Sequence, residues 1–227
     1  MRLGISSWTY TWAIGVPGHP PERPMDAMGL LARAAELGVR VVQFADNLPL
    51  DQLSSPELDA FERRASELGV RVEVGTRGIG HDNLRTYLQL AERLESSILR
   101  VVIDTADHQP DVDEVVEIIK AIIPEFERGG VCLAIENHDR FKAKTLAGIV
   151  VRIGSQQVGI CLDTVNSFGA LEGPEVLLEV LGPMVVNLHV KDFAIFRADH
   201  LMGFAIEGRP AGQWRLNVPW LLEELSG

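Results

Sequence analysis

Apolar residues fall into two alternating patterns along the chain. Short continuous runs rich in β-branched residues occur at LGISSW near residue 3, VVQFAD near 41, VEVGT near 72, ILRVVID near 98, VCLAIE near 131, VGICLD near 158 and MVVNLHV near 184. Between them, LLARAAEL, LDAFERRASEL, DVDEVVEIIKAIIPEFERG and GPEVLLEVL space apolar side chains three and four apart, the period of an amphipathic helix, with Pro124 expected to kink its segment. ELGVRV occurs at 36–41 and again at 67–72, and RGGVCLA at 128–134 repeats it loosely. Each copy reads as a helix end, a glycine and a β-branched run. Gly38 and Gly69 are expected just past helix ends, where positive φ suits glycine. Continuous apolar strands alternating with helices predict an α/β protein whose parallel sheet is covered by helices.

Seven strand–helix units leave either a doubly wound open sheet or a TM-sized closed design, the TIM (β/α)8-type barrel. The first strand runs into SSWTYTWAIGVPGHPP, which has neither G-x-G-x-x-G nor a phosphate loop. The barrel is therefore expected. At the period of the repeat, an eighth strand falls at the end of the sequence. The expected architecture is an incomplete barrel, with seven strands and the eighth β/α unit missing at the C-terminus, in a single domain spanning residues 1–227.

The net charge of −11 argues against non-specific binding to nucleic acid or to an anionic membrane. MRLGISSWTY lacks the apolar core of a signal peptide, and no run of about 18 apolar residues suggests a span. A soluble, cytoplasmic protein is expected. Cys132 and Cys161 lie inside apolar runs and read as buried thiols rather than a disulfide.

Catalytic groups of such barrels gather at the C-terminal ends of the strands. There the chain carries Ser7 and Trp8, Asp46 and Asn47, Arg77, Asp104, Glu136 and His138, Asp163 and Asn166, and His189 and Lys191. Asp46 and Asp104 read most simply as helix caps or turn residues. The end of VCLAIENH is harder to explain, because a buried strand should not finish in a carboxylate unless it reaches solvent or meets a positive partner. Strand alternation puts Glu136, Asp163 and His189 on faces that can converge at the mouth. A divalent cation (Mn, Co, Mg or Zn) would join such mixed oxygen and nitrogen donors.

LAIENH, GICLDTVNS and NLHVKDF, in that order on strands five, six and seven, together with GRPAGQWRLNVPWLLEEL, give the chain its resemblance to a known group. It resembles the xylose isomerase-like barrel superfamily, in particular the sugar (phosphate) isomerase/epimerase branch. The resemblance implies a metal held by Glu136, Asp163 and His189, with a fourth ligand, a glutamate ending strand eight, lacking. It implies isomerase or epimerase chemistry on a small sugar or keto-polyol, by proton transfer through an enediolate, with Glu136 as ligand and base. Lys191 shares the face of His189 and could neutralise an enediolate or a substrate carboxylate. Trp8, His138 and Asn166 are placed as substrate contacts. Residues 192–215 are expected as a lid-like loop in which Arg209 and Trp214 close over the substrate. Gly212, Gln213 and Trp214 stand where the family often has Gly-Glu-Gly. Arg197 and His200 read as solvated loop residues. A rival assignment makes FAIEG the eighth strand and Glu207 the fourth ligand, but no helix precedes it to make a parallel crossover.

Without the second glutamate, the chain is expected to be a poor epimerase and a weaker metal binder. An inosose-dehydratase-like lyase and a truncated barrel that binds ligand without turnover are the alternatives. Phosphodiester cleavage, also found in the superfamily, is disfavoured by the acidic charge. An open barrel would expose two strand edges, which a homodimer could cover.

Overall fold

The computed structural model describes residues 1–226. Seven parallel strands form one sheet in sequence order: β1 (Ile5–Ser6), β2 (Val41–Phe44), β3 (Arg71–Arg77), β4 (Ile98–Val102), β5 (Cys132–Glu136), β6 (Val158–Asp163) and β7 (Val185–His189). The intervening segments form α1 (Thr11–Ile14), α2 (Ala27–Glu36), α3 (Ser55–Leu68), α4 (His81–Arg93), α5 (Val112–Gly129), α6 (Ala143–Ile153) and α7 (Pro174–Leu181). The sheet curls until side chains of β7 touch those of β2 and β3, since His189 reaches Gln43 and Asn187 reaches Glu73. Among the described residues no ladder joins β7 to β1, so the barrel is incomplete. All seven expected strands form.

Local chemistry sets the helix ends. Ser54 and Glu57 make a reciprocal capping box at the start of α3, and Gly69 ends that helix with φ +62°. The side chain of Asp111 accepts from the backbone N–H of Asp113 and Glu114 to start α5, which runs unbroken in sequence through Pro124. Gly38 has φ +69°, as its place after α2 requires.

Alternation along the strands separates two interiors. Val42, Phe44, Val74, Leu99, Val101, Leu133 and Ile135 belong to the apolar core with the helices. There Phe44 meets Phe61 of α3 edge to face at 5.1 Å. Each fully buried side chain of this size contributes about 1.5–3 kcal/mol. The alternate residues form the polar lumen. By register, Gly75, Arg100, Ala134 and Gly159 occupy one level of it. The one long side chain in this level, Arg100, rises through room left by small neighbours; a Cβ on Gly75 would lie 3.1 Å from Arg100 Cδ.

Past β7 the chain departs from the expected loop. Residues 192–215 contain an antiparallel hairpin of β8 (Asp192–Arg197) and β9 (Phe204–Arg209), followed by α8 (Val218–Glu224). FAIEG lies in β9, outside the barrel sheet, so it is not an eighth barrel strand. Four backbone N–H groups anchor the hairpin on Asp192: those of Phe193 and Leu216 donate to Oδ1, and those of Gly212 and Trp214 to Oδ2. Phe193 packs edge to face on Phe168 at 4.7 Å.

Candidate metal and substrate site

The positive partner at the end of VCLAIENH is Arg100. Its Nε donates to Glu136 Oε2 at 2.5 Å, and its Nη1 donates to Asp46 Oδ1 at 3.0 Å. Both Arg100 and Glu136 are buried. Burial alone would raise the Glu136 pKa; the contacts with His189 and Arg100 outweigh it and hold the carboxyl well below the usual range. The other Glu136 oxygen, Oε1, accepts from Asn166 Nδ2 at 2.7 Å. Asn137 has a structural task. Its amide accepts from Asp163 N and donates to Asp163 O and Ser167 Oγ, which fastens the end of β5 to the end of β6.

His189 is oriented by a chain of amides. Gln43 Nε2 donates to Glu73 and to Asn187, so Gln43 Oε1 faces His189 Nε2 as an acceptor at 2.8 Å. That leaves Nδ1 pointing at the carboxylates, 3.2 Å from Glu136 Oε2 and 3.9 Å from Asp163 Oδ2. Asp163 Oδ1 accepts from Val165 N and Asn166 N. Its Oδ2 is fully buried and has no hydrogen bond among the described residues; the Lys191 ammonium lies 2.7 Å away as an ion pair without hydrogen-bond geometry. Lys191 Nζ also donates to Asn166 Oδ1 at 3.1 Å.

These groups fit a divalent ion. At metal–ligand bond lengths of roughly 2.0–2.3 Å, two donors on one ion stand about 3–4 Å apart, which matches the spacing around His189 Nδ1. Asp163 Oδ2, which accepts no hydrogen bond and is met only by the Lys191 and His189 ion-pair contacts, supplies an acceptor open to exchange. The donor atoms that all lie within 4.8 Å of one another are those of Glu136, Cys161 and His189; Asp163 joins this group through His189 Nδ1. Cys161 lies level with Glu136 and one step below Asp163 and His189, its thiol directed at Asn187 Oδ1 at 3.2 Å. Burial pushes that thiol well above its usual range, so it packs as a neutral group. Cys132 is only partly buried, contrary to expectation, and burial pushes its thiol up to about 11.

The two aspartates read as caps or turns are ion-paired instead. Asp46 accepts from Arg77 Nε, Arg100 Nη1 and Trp8 Nε1. Burial would raise its pKa, but the two guanidinium groups bring it below the ordinary value. The Asp104 side chain takes both of its hydrogen bonds from Arg140, and its backbone carbonyl accepts from Arg77 Nη1. Neither role is visible without knowing which strands are neighbours. Arg77, Asp104, Gln109, His138 and Arg140 border an open cavity of about 640 Å³ at the ends of β3–β5. His138 also lines a small void beside Glu136.

Trp8, His138, Asn166 and Lys191 thus stand at the mouth with Glu136, Asp163 and His189. Arg209 and Trp214 make their contacts within the hairpin segment. The Arg209 guanidinium stacks over Trp214 at 5.1 Å and pairs with Glu207 at 2.7 Å, and no hydrogen bond or ion pair ties either to Glu136, Asp163 or His189 among the described residues. Arg197 stacks on Phe204, and His200 accepts from Met202 N. Sequence reasoning missed Arg100, Gln43, Asn187 and Arg140. For the first three a signal existed: each is a polar residue at the lumen-facing parity of an otherwise apolar run.

Fold and site together define an α/β barrel protein with a carboxylate–imidazole donor set at the C-terminal mouth. The chain belongs to the xylose isomerase-like TIM barrel family, whose model matches residues 31–226. It is similar to 3-oxo-isoapionate decarboxylase of Pectobacterium atrosepticum, at 35% identity over 92% of this chain and 74% of that protein. Among solved structures, a xylose isomerase-like barrel protein of Mycobacterium smegmatis in complex with magnesium aligns with TM-score 0.79 at 14% identity, covering 99% of this chain and 86% of that one. D-Psicose 3-epimerase in the presence of D-fructose aligns with TM-score 0.75 at 16% identity, covering 100% and 82%. At these identities the structural likeness establishes the fold alone. No helix among the described residues is long and apolar enough to cross a membrane.

Proposed function

We propose that the chain is a metal-dependent enzyme acting on a small sugar-derived carbonyl compound through an enolate or enediolate, and that loss of CO2 from a 3-oxo sugar acid is its way into that intermediate. Glu136, Asp163 and His189 would hold the ion. A bound divalent cation supplies positive charge that lowers the cost of an oxyanion. The observation that carries the reading is the buried, hydrogen-bond-free Oδ2 of Asp163 facing the same space as His189 Nδ1.

Decarboxylation breaks the bond between the carboxylate and its neighbouring carbon. The electron pair moves into the oxo group, CO2 departs, and the resulting enolate carbon takes one proton. No base is needed. The Lys191 ammonium, partly exposed at the mouth, is the proton source. Isomerisation or epimerisation of a ketose is the second reading and needs Glu136 as the base. Against it, Arg100 and His189 hold the Glu136 carboxyl well below the usual range, which makes it a weak base for taking a proton from carbon. The decarboxylase named above, at 35% identity, supports the first reading.

Incubating the chain with Mn²⁺ and a panel of 3-oxo sugar acids and ketoses, followed by ¹³C NMR, separates the two. Carbonate from the oxo acids is the expected product. Epimers from ketoses without carbonate would replace the first reading with the second.

A further inference from the structure

Lys191 occupies an unusual position for a mouth residue. Its ammonium is the only Lys or Arg group within ion-pair reach of Asp163 Oδ2 among the described residues. Asp163 is fully buried and its other oxygen is committed to two backbone N–H groups. Oδ2 is therefore both what a metal would take and what Lys191 now holds. An ammonium and a divalent ion on one oxygen would repel strongly at so short a range and low a dielectric. The lysine has somewhere to go. Its side chain is 46% exposed, and its other contact is a single hydrogen bond to Asn166. Its backbone stays fixed, because Lys191 N donates to Thr164 Oγ1 and Thr164 Oγ1 donates to Lys191 O.

We propose that Lys191 is a two-position residue: it neutralises Asp163 while the ion is absent, and it turns to a carboxylate of the substrate once the ion is in place. These four mouth carboxylates each have a cationic partner: Glu136 has Arg100, Asp46 has Arg77 and Arg100, Asp104 has Arg140, and Asp163 has Lys191. A divalent ion adds positive charge to this balanced set and releases Lys191. The ligand that restores balance is an anion. Metal and acidic substrate then bind in that order. This inference rests on the proposed site and assigns Lys191 the carboxylate of its acidic substrate.

The test uses calorimetry with Mn²⁺ alone, then with L-threonate as an unreactive sugar acid and threitol as its neutral counterpart. A residue that blocks a site cuts the apparent affinity to the fraction of time the site stands open, so a site open about a tenth of the time binds about tenfold more weakly. Lys191→Met is expected to bind Mn²⁺ about tenfold more tightly than the parent, by that same relation. Lys191→Arg, which keeps a cation on Asp163, should bind it no more tightly than the parent. Threonate should bind the parent only when Mn²⁺ is present, and Lys191→Met should lose that binding; threitol should show neither effect. Equal or weaker Mn²⁺ binding by folded Lys191→Met, or threonate binding that ignores the metal, overturns the proposal. Failure of the parent and Lys191→Met alike to bind Mn²⁺ would instead remove the metal site itself. If Lys191→Met does not fold, the threonate measurement on the parent and on Lys191→Arg decides, since metal-independent binding in both excludes the exchange.

Discussion

Arg100 reaches from β4 across the lumen to Glu136 at the end of β5, and both side chains are almost wholly withdrawn from water. A buried charge without its partner is costly, so the pair acts as a unit. Arg100→Met in metal-free protein should lower stability by about 3–5 kcal/mol, read from urea denaturation. Arg100→Met with Glu136→Gln should recover a large part of that loss. Strict additivity of the two single changes would show that the pair is not coupled.

How far this site was legible follows from where each partner lies in the chain. The barrel, its seven strands and the convergence of Glu136, Asp163 and His189 at the mouth follow from periodicity and from strand parity, which are local properties. The partner of Glu136 lies 36 residues away on a neighbouring strand, and that of His189 lies 146 away across the lumen. Arg100, Gln43 and Asn187 break apolar runs at lumen-facing positions, so their inward direction could be read from parity, though not what they would meet. Asp46 and Asp104 look like caps in sequence because a short-range task is the only one a sequence displays. The hairpin of β8 and β9 was hidden because its anchor is a carboxylate binding backbone N–H groups up to 24 residues away.

Gln43 should govern metal affinity without touching the metal. It holds His189 Nε2 and so keeps Nδ1 aimed at the carboxylates. Such supporting partners are worth about 10–100-fold in affinity, and Gln43→Leu is expected to lose that much in a Mn²⁺ titration. Asp163→Asn should abolish binding under the same conditions. Unchanged affinity in Gln43→Leu would mean that His189 is oriented by something else.

The anchoring of the hairpin should depend on acid. Burial would raise the Asp192 pKa, but the four backbone N–H groups that donate to it bring it below its ordinary value. A carboxylate with a depressed folded-state pKa contributes stability that is full above the unfolded-state pKa and is lost as pH falls through the folded one. Hydrogen exchange at the amides of Gly212, Trp214 and Leu216 should therefore stay slow at neutral pH and lose protection only in acid below about pH 4. Asp192→Asn should weaken protection at neutral pH and flatten the acid response. Protection in the parent that is indifferent to pH down to global unfolding would contradict the anchor.

Two lumen glycines give the last test, because they differ in what an added methyl group would strike. At Gly75 the Cβ would meet Arg100 Cδ at 3.1 Å, the shaft of a long side chain whose far end is pinned to Glu136 and Asp46. At Gly159 it would meet Val186 Cγ1 at 2.6 Å and the Met184 carbonyl at 3.0 Å, one a stiff β-branched side chain and the other backbone. Overpacking costs about 1–3 kcal/mol. Gly159→Ala should fall at the upper end and Gly75→Ala at the lower. The order should reverse for metal binding: Gly75→Ala shifts the guanidinium that holds Glu136 and so weakens Mn²⁺ affinity, while Gly159→Ala leaves Arg100 in place. Calorimetry and urea denaturation on both variants give the two rankings. The same ranking in both measurements would mean that Mn²⁺ affinity follows overall stability rather than the position of Arg100.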